Sequence, residues 1–210
     1  MTRTVATALL ALLVACTGCT LGEGEGEVRS DSLLVPECWT GPFDLQPDFF
    51  ATVPYRDTQQ IRVQRGRDLH EVSDGVAIQV KDVTTIREQQ IGQSLEVGLA
   101  PELWEDINPS AIPGPAPQVH LALYLQFTCH SQNSVLYATR GNIVFHELFS
   151  GDPHESVGAE KLTEAEFDVV VGNPRDAEPG TTELPPDKTS RLWGYFRFHF
   201  VRGQPAQPYP

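Results

Sequence analysis

Apolar and polar residues alternate with period two along much of this chain, the spacing that puts successive side chains on opposite faces of a strand. The longest such run is Val119, Leu121, Leu123, Leu125, Phe127 and Cys129 on one face, with His120, Ala122, Tyr124, Gln126 and Thr128 on the other. A second run puts Leu192, Gly194, Phe196, Phe198 and Phe200 on one face and Arg191, Trp193, Tyr195, Arg197 and His199 on the other. Shorter alternations cover Gln59 to Arg65, Val76 to Val80, Leu95 to Leu99 and Phe167 to Val171, and Asp74-Gly75 reads as a turn. Val135 to Leu148 is strand-like, and Arg140-Gly141-Asn142 within it reads either as a hairpin or as a bulge.

Proline divides these runs. Pro101, Pro109, Pro113, Pro115 and Pro117 fall in one connection, and Pro174, Pro179, Pro185 and Pro186 in another. A residue without an amide hydrogen and with a fixed φ stops helices and inner strands alike. Single helical turns are expected only at Glu102 to Ile107 and Glu160 to Glu166. The pattern predicts roughly seven to nine strands with no β-α alternation, hence an all-β fold. The expected form is a two-sheet antiparallel β-sandwich, jelly-roll or immunoglobulin-like, spanning residues 33–202. The segment 203–210 is a proline-rich tail, extended by its composition.

Composition adds two limits. Apolar content of 40% with 20% charged residues is that of a globular chain. A net charge of -13 repels nucleic acid and anionic headgroups, so nucleic acid is not an expected partner.

The first residues carry a different signal. Arg3 is followed by an apolar run, Val5 to Ala15, too short for a membrane span and suited to an export signal. Leu13-Val14-Ala15-Cys16 resembles the lipobox of bacterial lipoproteins. That resemblance implies cleavage after residue 15 and a diacylglycerol on the Cys16 sulfur. It also implies anchoring in the cell envelope, in the outer membrane since Thr17 rather than aspartate follows the cysteine. Cys19 is the alternative attachment point, after Thr17-Gly18. Residues 16–32 contain Gly22-Glu23-Gly24-Glu25-Gly26-Glu27, which reads as a flexible tether with a reach of roughly 25 Å.

An export signal permits disulfides. Cys38 and Cys129 each lie at the edge of a strand-like segment and are the expected pair. Lipidation of Cys16 leaves an odd thiol, whereas lipidation of Cys19 leaves this pair alone.

Catalytic signatures are sparse. The chain lacks a Gly-x-Ser-x-Gly elbow, a phosphate-binding glycine loop and a His-Glu-x-x-His helix. His120, His146 and His199 occupy strand positions without metal-ligand spacing, and Asp152, Glu155, Asp176 and Asp187 sit in loops without the alternation of a calcium loop. No metal site or cofactor other than the lipid is expected. The leading surface candidate is the aromatic and arginine set Trp193, Tyr195 and Arg197, with Tyr124 on the mixed face of the longest strand. The balance favours a binding or structural envelope protein over an enzyme. The alternatives are a carbohydrate-binding module using exposed aromatics, or an envelope hydrolase without a recognisable motif.

Overall fold

A computed structural model describes residues 24–66, 73–111, 113–130 and 134–201. Cys16, Cys19, the export signal and the tail at 203–210 lie outside the described residues. The strands are β1 (Gly24–Val35), β2 (Trp39–Leu45), β3 (Phe49–Tyr55), β4 (Thr58–Gln64), β5 (Asp74–Lys81), β6 (Ser94–Glu96), β7 (Val119–Leu125), β8 (Val135–Glu147), β9 (Leu162–Gly172) and β10 (Thr189–His199). A short helix α1 (Val83–Thr85) runs into a π-turn at Ile86–Gln90, and α2 (Pro101–Ile107) occupies the first proline-rich connection.

The strands form one continuous antiparallel ladder in the order β2-β1-β10-β9-β8-β7-β5-β4-β3, with β6 attached to β8. This is a curled sheet, a half-barrel, rather than the two facing sheets that alternation suggested. Period-two patterning requires each strand to bury one face, and either two stacked sheets or the inside of one strongly curled sheet meets that requirement. Curling here brings the two ends of the ladder together. Phe50 on β3 stacks on Phe198 of β10 with ring centroids 5.7 Å apart, although five strands lie between β3 and β10 in the ladder. Arg65, just past β4, donates to the Asp44 carbonyl of β2 at 3.1 Å. The enclosed core holds Phe145, Phe196, Phe198, Leu123, Leu125, Ile61 and Val28, each fully buried.

β1 corrects the expected boundary at residue 33. From Gly24 onward the stretch read as a tether is strand, paired with β10 from Gly24↔Phe198 to Arg29↔Trp193 and with β2 beyond Val28. The alternation of glycine and glutamate has a physical role here. Gly24 and Gly26 lie on the inner face, where a Cβ would stand 2.7 Å from Phe198 Cβ and 3.2 Å from Phe196 Cβ respectively. The missing side chains admit the large rings of β10, while Glu25 and Glu27 point outward. Composition alone favours disorder for such a stretch, and a partner strand rich in phenylalanine reverses that preference.

Other differences are local. β7 stops at Leu125, and Phe127 is exposed in the turn that follows. Asp74 begins β5 rather than making a turn. Its buried carboxylate accepts from the Phe127 and Thr128 amides, both at 3.0 Å, and from the Thr128 hydroxyl at 2.6 Å. Of the two readings at Gly141, the bulge is observed: β8 runs unbroken and its register with β9 shifts between Ala138 and Arg140. Residues Leu162 to Glu166 are strand, not helix, because β9 pairs along its whole length with β10. The helical turn at α2 is as expected.

Cys38 and Cys129 form a disulfide, with Cα atoms 5.7 Å apart. It joins the turn between β1 and β2 to the turn after β7, elements with three strands between β1 and β7 in the ladder. The bond therefore closes the curl at one end, where no backbone ladder does.

Candidate functional site

The outer faces of β1, β10, β9 and β8 form a grid whose rows follow from register. One row runs Asp44, Arg29, Trp193, Asp168, Asn142 and Glu96 across β2, β1, β10, β9, β8 and β6. The next runs Glu27, Tyr195, Glu166, Val144 and Ser94 from β1 to β6. A third begins Glu25, Arg197, Glu164. Between the first two rows lies an open trough of about 370 Å³. Its floor includes Gly194 and Phe167, and its walls are the residues of those rows from β1 to β8.

Cross-strand ion pairs hold the walls upright. Arg191 donates to both oxygens of Asp168, at 2.8 and 2.6 Å. That bidentate pairing holds the Asp168 carboxyl below the usual carboxylate range and raises Arg191 above the ordinary guanidinium value. The Arg191 guanidinium also lies 5.2 Å from the Trp193 ring centroid, which fixes one face of the indole. Arg29 pairs with Glu27 at 2.5 Å and lies 3.5 Å from Asp44, so an ion pair bridges the two rows at the β1 end. Gln46 donates to Glu27 at 2.8 Å behind it. Arg197 pairs with Glu164 at 3.2 Å in the third row. These pairs are solvent-exposed and each adds little stability. Their effect is on geometry, because they restrict long side chains that would otherwise sweep over the aromatics.

Three of the four surface residues expected from the sequence are on this face. Tyr195 is 47% exposed, Trp193 is half-buried beside it, and Arg197 is exposed. Trp193 and Tyr195 line the trough, whereas Arg197 lies one row away. Tyr124 does not belong to the surface. It is 3% exposed, its hydroxyl donates to Gln64 at 2.7 Å, and Arg62 lies 5.7 Å from its ring. The mixed face of β7 is buried because β7 lies inside the ladder and its outer side is covered as well as its inner one. Ala122 beside Tyr124 is buried too.

Sequence reasoning missed Glu27, Arg29, Asn142, Glu166, Asp168 and Arg191 as members of a site. Each stands at an outward position of an alternating run, and only strand order and register show that they adjoin. Glu27 carried the weakest signal, since its strand read as tether.

The histidines are not brought together. His120 Nδ1 lies 2.8 Å from the Gly98 carbonyl, and burial holds its pKa below the usual histidine value. His146 Nε2 lies 3.8 Å from Glu166, and His199 is exposed at the end of β10. Among the described residues no three His, Cys, Asp or Glu side chains gather in an arrangement that could hold a metal. Asp152 and Glu155 accept from the amides of His154 and Val157, both at 2.8 Å, as turn residues do. A second cavity of about 710 Å³ lies between α2, the start of β8 and the turn at Pro174–Asp176, and is lined by Leu103, Ile107, Tyr137 and Arg175 among others.

Comparison with protein-family models, with curated proteins and with solved structures returned no match.

Proposed function

We propose that this chain is an exported bacterial lipoprotein that acts by binding, anchored through Cys16 with Cys19 as the alternative, and placed at the outer membrane. The contact surface in this reading is the outer face of β1, β10, β9 and β8. The observation that carries it is the trough between two side-chain rows, with Trp193 and Tyr195 presented to solvent. A trough of this size, with aromatic side chains set among placed polar groups, has the dimensions of a small-molecule binding site. A strand face with no partner would be expected to show charged side chains rather than two aromatics in a ladder of fixed ion pairs. The lipobox-like stretch supports the address, and the Cys38–Cys129 bond is of the kind found in oxidising compartments.

Two measurements test the parts separately. Intact-mass analysis of the native N-terminal peptide is expected to show a diacylglycerol on Cys16; an unmodified cysteine there and at Cys19 removes the anchor. A photo-crosslinking residue at position 195 in the full chain is expected to capture an envelope component. The same residue at Phe127, exposed on another part of the molecule, is expected not to capture it. Equal capture from both positions overturns the surface.

A further inference from the structure

The rows of the trough carry a more specific reading, which rests on the binding surface proposed above. We infer that the trough binds a neutral saccharide chain, with one ring held between Trp193 and Tyr195.

Spacing is the first argument. Residues two apart on a strand project from the same face about 6.8 Å apart. A ring in van der Waals contact on both sides needs roughly 3.5 to 4 Å per contact. The gap between the Trp193 and Tyr195 positions therefore takes one ring, above the floor that Gly194 and Phe167 form. Arg191 already occupies one face of the Trp193 indole, so the incoming ring stacks on the remaining one.

Polar groups are the second. A sugar ring offers C–H groups on its faces and hydroxyls at its rim. Beside the aromatic pair, toward β8, stand the Asn142 amide and the Glu166 carboxylate. The Asn142 side chain has no protein partner among the described residues. Glu166 has only His146, at 3.8 Å. The amide offers donors and an acceptor, and the carboxylate offers acceptors, which together match hydroxyl groups. Both Asp168 oxygens are already engaged by Arg191.

Charge is the third. Glu27, Glu166 and Asp168 exceed Arg29 and Arg191 by one negative charge, on a chain of net charge -13. An anionic polymer is repelled from such a site. At the β1 end the Glu27–Arg29 pair bridges the rows, while among the described residues no ion pair joins them at Asn142 and Val144 on the β8 end. Three strand spacings, about 14 Å, separate those ends. The trough thus takes the end of a chain two or three sugars long, with the remainder leaving over β8.

The test is calorimetric titration of the full chain with neutral β-1,4-linked tetrasaccharides of glucose and of N-acetylglucosamine. At least one is expected to bind, with saturable quenching of tryptophan fluorescence. Trp193→Ala and Tyr195→Ala are each expected to weaken binding about tenfold, Tyr195→Phe less than twofold, and Asn142→Ala several-fold. All three positions face outward, and a thermal melt of each variant confirms folding. No binding of either tetrasaccharide at 10 mM (roughly the weakest affinity calorimetry resolves) overturns the inference. So does binding that Trp193→Ala leaves unchanged, or binding of tetramethylammonium or of a sulfated oligosaccharide in preference to both. In each of those cases, crosslinking through position 195 still decides the binding surface independently.

Discussion

Replacing Gly26 by alanine tests the most consequential structural assignment, that the glycine-glutamate stretch is an inner-facing strand. A Cβ at Gly26 would meet the Tyr195 carbonyl oxygen at 2.8 Å and the Phe196 Cα and Cβ at 3.2 Å. Two of those atoms are backbone, so a rotamer change on one side chain does not relieve the contact. β1 must move away from β10 by several tenths of an ångström, across a ladder of six registered pairs. Phe196 is fully buried and itself packed within the core, so the shift propagates. Overpacking of this kind costs about 1 to 3 kcal/mol. For a domain of this size each kcal/mol lowers Tm by roughly 2 to 4 °C, so the expected fall is about 2 to 12 °C. Gly158→Ala is the control. Gly158 has φ -57°, which alanine adopts freely, and nothing lies within 4 Å of its Cβ position. It is expected to be neutral or to stabilise by up to about 1 kcal/mol, since it restricts only the unfolded chain. Thermal denaturation followed by circular dichroism reads both variants. A tether at Gly26 predicts that both alanines behave alike. If Gly26→Ala melts within about 1 °C of the parent, the pairing of β1 with β10 is refuted.

Two further outcomes are expected. Replacing Cys38 and Cys129 together by serine opens a link of sequence separation 91, worth about 4.6 kcal/mol in the chain-entropy model; the Tm should fall by at least about 9 °C, and a change below about 3 °C would show that the bond constrains little. Below pH 6.5 the unfolded chain protonates His120 while burial keeps the folded one neutral, so stability is complete above that pH and declines as pH falls toward the lowered folded value. The slope from this group is at most about 1.4 kcal/mol per pH unit, Lys81 and Glu102 being the charged neighbours. Urea melts at pH 7.5 and 5.5 should show His120→Gln with a smaller loss than the parent, and equal losses would remove the assignment.

Much of the strand inventory was legible because burial of one strand face imposes period two on the sequence. β10 was read with its faces correctly assigned, since Leu192, Phe196 and Phe198 are buried and Arg191, Tyr195 and Arg197 are exposed. The disulfide pair was legible from the export signal and from the place of each cysteine at the edge of a strand-like segment. Tyr124 was misread because alternation tells which residues share a face and not whether a second layer covers it.

The chain's own sequence determined most of its strands, where proline interrupts, and the cysteine pair expected to meet, since each follows from local backbone chemistry or from composition. Tertiary structure alone decided the rest. Whether the buried faces meet across two sheets or inside one curl depends on which strands pair, and those partners are far apart in sequence: β1 with β10, β7 with β5. The same pairing turned a glycine-glutamate repeat into a strand, because only the phenylalanines of β10 give glycine a reason to face inward. It also made a site of residues as distant as Glu27, Asn142, Glu166 and Trp193, which adjoin through register and through nothing that their neighbours in sequence disclose.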